Sequence, residues 1–137
     1  AGYLQAYSNT YKPLAELKKI YSEILEHPEI SGLVIGTRAD CVDDEKLDYL
    51  AELSVKHEIT VEYGIETCYS KTLAMLNRHE TFEEIGEPVR KTSQRGIKTC
   101  GHLIFGLPGE TRDEMLAEAK IISALPLDFV KLHSYIL

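Results

Sequence analysis

Apolar positions along the chain alternate between a period of two and a period of 3.6, and the switch recurs from one end to the other. Tyr3–Ser8 alternates as a strand, and Pro13 then suits the first turn of a helix carrying Leu14, Leu17, Ile20, Ile24 and Leu25 on one face. Gly32–Thr37 predicts a second strand. A helix beginning near Asp43 or Asp44 follows, with Leu47, Leu50 and Leu53 on its buried side. Glu58–Glu66 predicts a third strand, Ser70 is placed to cap a short helix, and Thr81 with Glu84 makes a Thr-x-x-Glu capping box for another that ends near Gly96. Ile97–Gly106 reads as the fourth strand and Thr111–Ala124 as its helix, opened by a second capping box from Thr111 and Glu114. Asp128–Ile136 reads as the fifth strand.

Strands separated by helices imply parallel pairing with right-handed crossovers. The strand interiors are asymmetric. One face carries Gln5 and Tyr7, then Glu62, Gly64 and Glu66, then Cys100, His102 and Ile104, then Lys131, His133 and Tyr135. The other carries Leu4 and Ala6, Val61, Tyr63 and Ile65, Leu103 and Phe105, Val130, Leu132 and Ile136. A doubly wound sheet is covered on both sides and wants apolar residues on both. Polar residues converging on one side suggest a ligand-holding lumen. The expected fold is therefore α/β, a partial (β/α) TIM-like barrel fragment of about five parallel strands with helices on one face. A complete eight-stranded barrel takes roughly 250 residues, and this chain has 137. Its first residue is Ala1 rather than Met, almost directly before a strand, so it is expected to begin inside a larger protein.

Composition narrows the class only slightly. The net charge of −7 argues against a general phosphate-backbone binder. No segment reaches the apolar length of a membrane span and no charged-then-apolar leader opens the chain, so a cytoplasmic location without membrane contact is expected. Cys41, Cys68 and Cys100 are an odd, widely spaced set with no C-x-x-C, which fits a reducing compartment and forms no metal signature by itself. His27, His57 and His79 fall in predicted loops or helix ends, as surface or capping histidines do.

The chemistry gathers at the strand ends. Gly-Leu-Pro-Gly after the fourth strand, followed by a helix N-terminus at Thr111, is how α/β proteins place a ligand at the carboxyl end of a sheet. Arg38 and Asp40 follow Gly36 and serve equally well as ligand contacts or as a salt-bridged turn. Glu62 and Glu66 share a strand face and need partners if buried. They could bond ribose hydroxyls, an ammonium group or a proton in flight, or form an ion-pair network with Lys131 and His133. Lys131 suits an ion pair better than a Schiff base, and Cys100 beside His102 suits an inert buried thiol better than a nucleophile. Tyr7-Ser8-Asn9-Thr10 is a polar loop able to cap the next helix, bind a ligand, or do both.

Five of these segments, in this order, resemble the radical S-adenosylmethionine (SAM) superfamily. The nearest branch is that of iron–sulfur oxidoreductases related to the Elongator catalytic subunit. They are Tyr3–Tyr11, Ile35–Cys41, Val61–Thr67, His102–Glu110 and Lys131–His133. The resemblance implies that residues 1–137 form strands two to six of a partial (β/α)6 barrel. It implies a [4Fe–4S] cluster and SAM as cofactors, with reductive cleavage of SAM to a 5′-deoxyadenosyl radical. It places Ser8, Asn9 and Thr10 at the methionine amino group, Glu66 at the ribose, and Ile104 and Gly106 along the adenine. Arg38, Asp40, His102, Lys131 and His133 would face SAM or substrate, with Glu62 a further substrate-facing candidate. By analogy the substrate is tRNA or another macromolecule.

Two departures stand out. The family's Thr-Arg-Pro-Asp is Thr37-Arg38-Ala39-Asp40 here. The three-cysteine cluster motif, which precedes the second strand in relatives, does not occur in these residues, so the chain alone is expected to hold no cluster and to be inactive. Two other readings compete. One is a cluster-independent (β/α)-barrel lyase or hydrolase using Glu62 or Glu66 with Lys131 or His133. The other is a non-catalytic assembly module, whose unpaired outer strands would drive self-association.

Overall fold

Five strands pair side by side in chain order, β1 (Gly2–Tyr7), β2 (Ile30–Thr37), β3 (Glu58–Glu66), β4 (Lys98–Phe105) and β5 (Phe129–Ser134), and every neighbouring pair is parallel. The computed structural model describes residues 2–7, 13–38, 42–75, 81–105 and 109–134, the side chains of 2–7, 70, 75, 105, 133 and 134 excepted. Between the strands run α1 (Leu14–Leu25), α2 (Asp44–Ser54), α3 (Ser70–Met75), α4 (Phe82–Gln94) and α5 (Arg112–Ser123). A strand order without reversal has no switch point, so right-handed crossovers lay successive helices on the same side of the sheet. The fold is a partial TIM-like barrel with helices on one face, as the asymmetric strand pattern predicts.

The core lies between that face and the helices. Leu33 and Ile35 of β2, Ile59, Val61, Tyr63 and Ile65 of β3, and Leu103 of β4 pack against Leu17 and Tyr21 of α1, Leu50 of α2, Leu73 of α3, Ile85 and Val89 of α4, and Ile122 of α5. Each such aliphatic side chain contributes about 1.5–3 kcal/mol relative to exposure. The Tyr63 hydroxyl, carried into this core, meets the Thr92 hydroxyl at 2.7 Å. Arg95, at the end of α4, bonds Asp48 at 2.8 Å and Asp44 at 3.2 Å on α2, joining neighbouring helices at their solvent edge.

Local signals place the helix starts closely. Asp43 caps α2 through the Lys46 N–H at 2.9 Å, and Thr81 caps α4 through the Glu84 N–H at 3.2 Å. At α5 the box is reciprocal: the Glu114 N–H donates to Thr111 Oγ1 at 3.1 Å and the Thr111 N–H to Glu114 Oε1 at 3.0 Å. The short helix differs from expectation. The Tyr69 carbonyl accepts from the N–H groups of Thr72 and Leu73, so Ser70 is the first residue inside α3 rather than its cap. On α1 the buried stripe includes Tyr21, one turn after Leu17, while Leu14 is only half-buried. Strand limits shift by one or two residues, and the expected ends at Ser8, Gly106 and Ile136 lie outside the described residues. So does His79.

Gly101 lies where the sheet packs tightly against the connection before β5. A Cβ there would stand 2.8 Å from Ile65 Cδ1 and 2.9 Å from Leu127 Cδ1. Gly101→Val is expected to cost about 1–3 kcal/mol by overpacking, read as a lower midpoint in urea denaturation. An unchanged midpoint would show that Leu127 moves aside freely.

Candidate functional site

The face that the helices leave bare is organised by register. Gly36 of β2 stands beside Glu62 of β3, Glu62 beside Cys100 of β4, and Cys100 beside Phe129 of β5. One step toward the carboxyl ends, Gly64 stands beside His102 and His102 beside Lys131. Residues in register share a face, so this geometry brings Glu62, His102 and Lys131 together from three adjacent strands. Lys131 reaches diagonally across β4 to place Nζ 3.1 Å from Glu62 Oε2, and His102 Nε2 lies 3.8 Å from Glu62 Oε1. The Glu62 side chain is only 6% exposed, whereas that of Lys131 is half-exposed. A carboxylate this deep needs countercharge; Lys131 supplies it, and His102 adds to it when protonated.

Two openings flank Glu62. One, of about 160 Å³, lies at the carboxyl end among Gly36, Thr37, Arg38, Tyr63, Gly64 and His102. The other, of about 190 Å³, lies further down the strands among Val34, Thr60, Cys100, Phe129 and Lys131. A Cβ on Gly64 would touch nothing within 4 Å. The sheet there is bare because the residue has no side chain, which leaves room for a flat group against the strand.

The remaining site candidates fall around this centre. Arg38 is exposed at the rim of the upper opening, and Ile104, half-buried, stands beside His133 in register. Alternation along β3 stops at Gly64. A bulge puts Glu66 opposite Leu103, and Glu66 takes φ 69. It does not line either opening. Ser8, Asn9, Thr10, Asp40 and Gly106 lie outside the described residues, as does the side chain of His133.

Beside this bulge lies a polar cluster that the sequence pattern does not predict. Thr67 Oγ1 lies within hydrogen-bond distance of Glu110 Oε2 and, at 3.1 Å, of Glu118 Oε2. The Tyr69 hydroxyl donates to the Glu114 carbonyl, and Lys71 Nζ bonds the Gly109 carbonyl at 3.1 Å and Glu114 Oε2 at 2.7 Å. The turn after β3 is thereby stitched to the turn before α5, where Gly109 takes φ 87. One signal pointed to Glu118: it stands one turn before Ile122 on the buried stripe of α5, where a carboxylate is out of place.

The described cysteines do not suit an iron–sulfur cluster. Cys68 and Cys100 are both buried and free. Burial first, then the nearby Glu118, pushes the Cys68 thiol up to about 12, and burial followed by Glu62 pushes the Cys100 thiol up as well. Cluster ligation takes thiolates. Among the described residues no group of three or more His, Cys, Asp or Glu side chains could hold a metal ion, and Cys41 lies outside them. No described helix is long and apolar enough to cross a membrane.

A bare polar face on a one-way parallel sheet whose helices cover the other side defines an α/β protein of the partial TIM-like barrel class. More narrowly, the chain belongs to the radical SAM superfamily, whose family model matches residues 3–122. It is 43% identical over 127 residues to an uncharacterized protein of Methanocaldococcus jannaschii (MJ0486), covering 92% of this chain and 39% of that protein. It is 37% identical over 131 residues to the uncharacterized protein YtqA of Bacillus subtilis, covering 96% of this chain and 41% of that one. The chain thus spans about two fifths of the length of these relatives. A tRNA uridine(34) acetyltransferase of M. jannaschii is 30% identical over 96 residues, 70% of this chain and 17% of that protein. Among solved structures, methylornithine synthase (PylB) aligns with a TM-score of 0.79 at 13% identity, over 98% of this chain and 39% of that one. Coproporphyrinogen III oxidase (HemN) from Escherichia coli, described as a radical SAM enzyme, aligns with a TM-score of 0.76 at 19% identity, over 96% and 32%. At these identities the structural likeness speaks for the fold.

The Glu62 pair can be tested directly. Lys131→Met is expected to destabilise the chain by about 1–3 kcal/mol, below the full cost of stranding a buried charge because Lys131 is half-exposed. In a double-mutant cycle with Glu62→Gln, urea denaturation should give a coupling of about 1 kcal/mol. Strict additivity would mean that solvent, not Lys131, neutralises Glu62.

Proposed function

We propose that the chain forms strands two to six of a radical SAM barrel and holds SAM along its bare face, in a cytoplasmic enzyme acting on tRNA or another macromolecule. The observation that carries this reading is the convergence of Glu62, His102 and Lys131 beside the empty strand at Gly64, within a chain of this family. The donor set suits the ligand: SAM carries a sulfonium and an ammonium cation, a diol and a flat base. From the turn that ends β3, beyond the two openings, Glu66 would take the ribose hydroxyls, and Ile104 the adenine. Ser8, Asn9 and Thr10 would meet the methionine end, and Gly106 would let the base approach the backbone. Arg38 and His102 would close the rim, leaving Asp40, Glu62, Lys131 and His133 toward the substrate. Glu62, between two basic groups, can accept or return a proton there. The likeness to a tRNA uridine(34) acetyltransferase supports tRNA as the substrate class.

The family's chemistry begins with one-electron cleavage of SAM by a [4Fe–4S] cluster, and the cysteines of that cluster would lie in a neighbouring part of the polypeptide. Expressed together with its upstream sequence and reconstituted anaerobically with iron and sulfide, the protein should show cluster absorbance and release 5′-deoxyadenosine from SAM. Glu66→Ala should weaken SAM binding by about tenfold, the scale of one lost charge-assisted hydrogen bond. Absence of both cluster absorbance and 5′-deoxyadenosine would sink the proposal. Iron-independent turnover abolished by Glu62→Gln would point to the lyase or hydrolase reading instead.

The isolated chain should also self-associate. β1 and β5 end the sheet, and β5 exposes Phe129, Val130 and Leu132. Sedimentation should show dimers or larger species at micromolar concentration that Val130→Lys with Leu132→Lys reduces. A strictly monomeric parent chain would refute this.

A further inference from the structure

The backbone at Glu66 is strained. Its φ is 69, and the Thr67 N–H donates to the Ile65 carbonyl at 2.8 Å, which closes a γ-turn of the uncommon positive-φ kind. Such a turn persists only where its surroundings over-determine it. Here the surroundings converge on one hydroxyl. Thr67 is fully buried, and its Oγ1 receives the Tyr69 N–H at 3.3 Å. The same oxygen faces two carboxyl groups, Glu110 Oε2 and Glu118 Oε2.

Proton counting resolves the arrangement. A hydroxyl has one proton to give and two lone pairs to receive. Thr67 can satisfy one carboxylate, and a second ionised carboxylate would oppose lone pair to lone pair. The second must therefore bring its own proton. Burial decides which: Glu118 is 0% exposed and Glu110 only partly buried. Each has an oxygen without a hydrogen-bond partner, and although the Cys68 N–H and thiol favour the Glu118 charge, burial outweighs them. Stranding a full charge there is costly, whereas a neutral acid loses far less.

We propose that Glu118 is a neutral carboxylic acid donating to Thr67 Oγ1 while Thr67 donates to Glu110, and that this chain of donors fixes the γ-turn presenting Glu66. Thr67 then makes three hydrogen bonds, the full capacity of a hydroxyl. Glu118 is a positioning residue, acting on Glu66 through Thr67. Burial, with the Glu110 charge second, pushes its carboxyl above the ordinary 4.5. The other titratable groups around it are Cys68 and Tyr69 from the turn, and Glu114 with its partner Lys71 one helical turn away.

The sign of the pH effect follows. With a raised pKa the folded chain keeps a proton that the unfolded chain releases, so stability falls as pH climbs from the ordinary glutamate range toward the pKa of Glu118. Glu118→Gln keeps the shape and a donor but has no proton to lose, so that component of the slope should vanish.

The inference deepens the reading of Glu66 as a ligand contact, yet its measurements use no SAM, so failure of that reading would leave them untouched. Infrared spectra of the chain at neutral pH should show the carbonyl stretch of a protonated carboxylic acid, absent in E118Q. The Thr67 amide should exchange with solvent at the parental rate in E118Q and about tenfold faster in E118L, where no donor remains. Superimposable infrared spectra of parent and E118Q would overturn the proposal. So would parental Thr67 exchange in a folded E118L, because the turn would then hold without its acid.

Discussion

Parallel pairing in strict chain order is the constraint from which the rest follows. Crossovers between parallel strands are right-handed as a rule, and with no reversal of order each returns to the same side. Along β2, β3 and β4 one face of the sheet is therefore buried under the helices and the other is not. Leu33, Ile35, Val61, Tyr63, Ile65 and Leu103 occupy the first face because only apolar side chains can pack there at interior density. The second face is released from that demand and can carry Glu62, His102, Lys131 and a bare Gly64.

That freedom creates its own electrostatic problem. Glu62 is nearly as inaccessible as a core residue although no helix covers it, because its neighbours across three strands close around it. Lys131 neutralises it across β4, and His102 flanks its other oxygen. The same three groups that make burial tolerable also make the face a place for charged or polar ligands. At the helix side the problem recurs around Thr67, where two carboxyl groups meet on one hydroxyl and the solution proposed is that Glu118 keeps its own proton. In both places a carboxyl group ties separate strand ends into one surface.

Much of this was legible in the chain. Period-two alternation in β3 and β4 separated the two faces correctly because their helix-facing residues are buried, which fixes register strongly, whereas on β5 Val130 and Leu132 stay exposed. The capping signals at Asp43, Thr81 and Thr111 worked because they are local, satisfied within one turn by nearby N–H groups. Ser70 was less legible: Tyr69, with no capping side-chain pattern, provides the carbonyl that starts α3. Alternation also carried Glu66 onto the polar face, but it assumes an unbroken strand. The bulge after Gly64 and the γ-turn at Glu66 break it.

The sequence by itself determined the elements, the asymmetry of the sheet and the family, because these depend on spacing within short segments and on motifs that stay in order. Only the tertiary structure decided which charges meet. The diagonal reach of Lys131 to Glu62 depends on the stagger of β4 against β5, and the meeting of Thr67 with Glu110 and Glu118 depends on how α5 lies over the end of β3. Residues 43 and 51 positions apart come together there through packing, and no local pattern records a contact of that range.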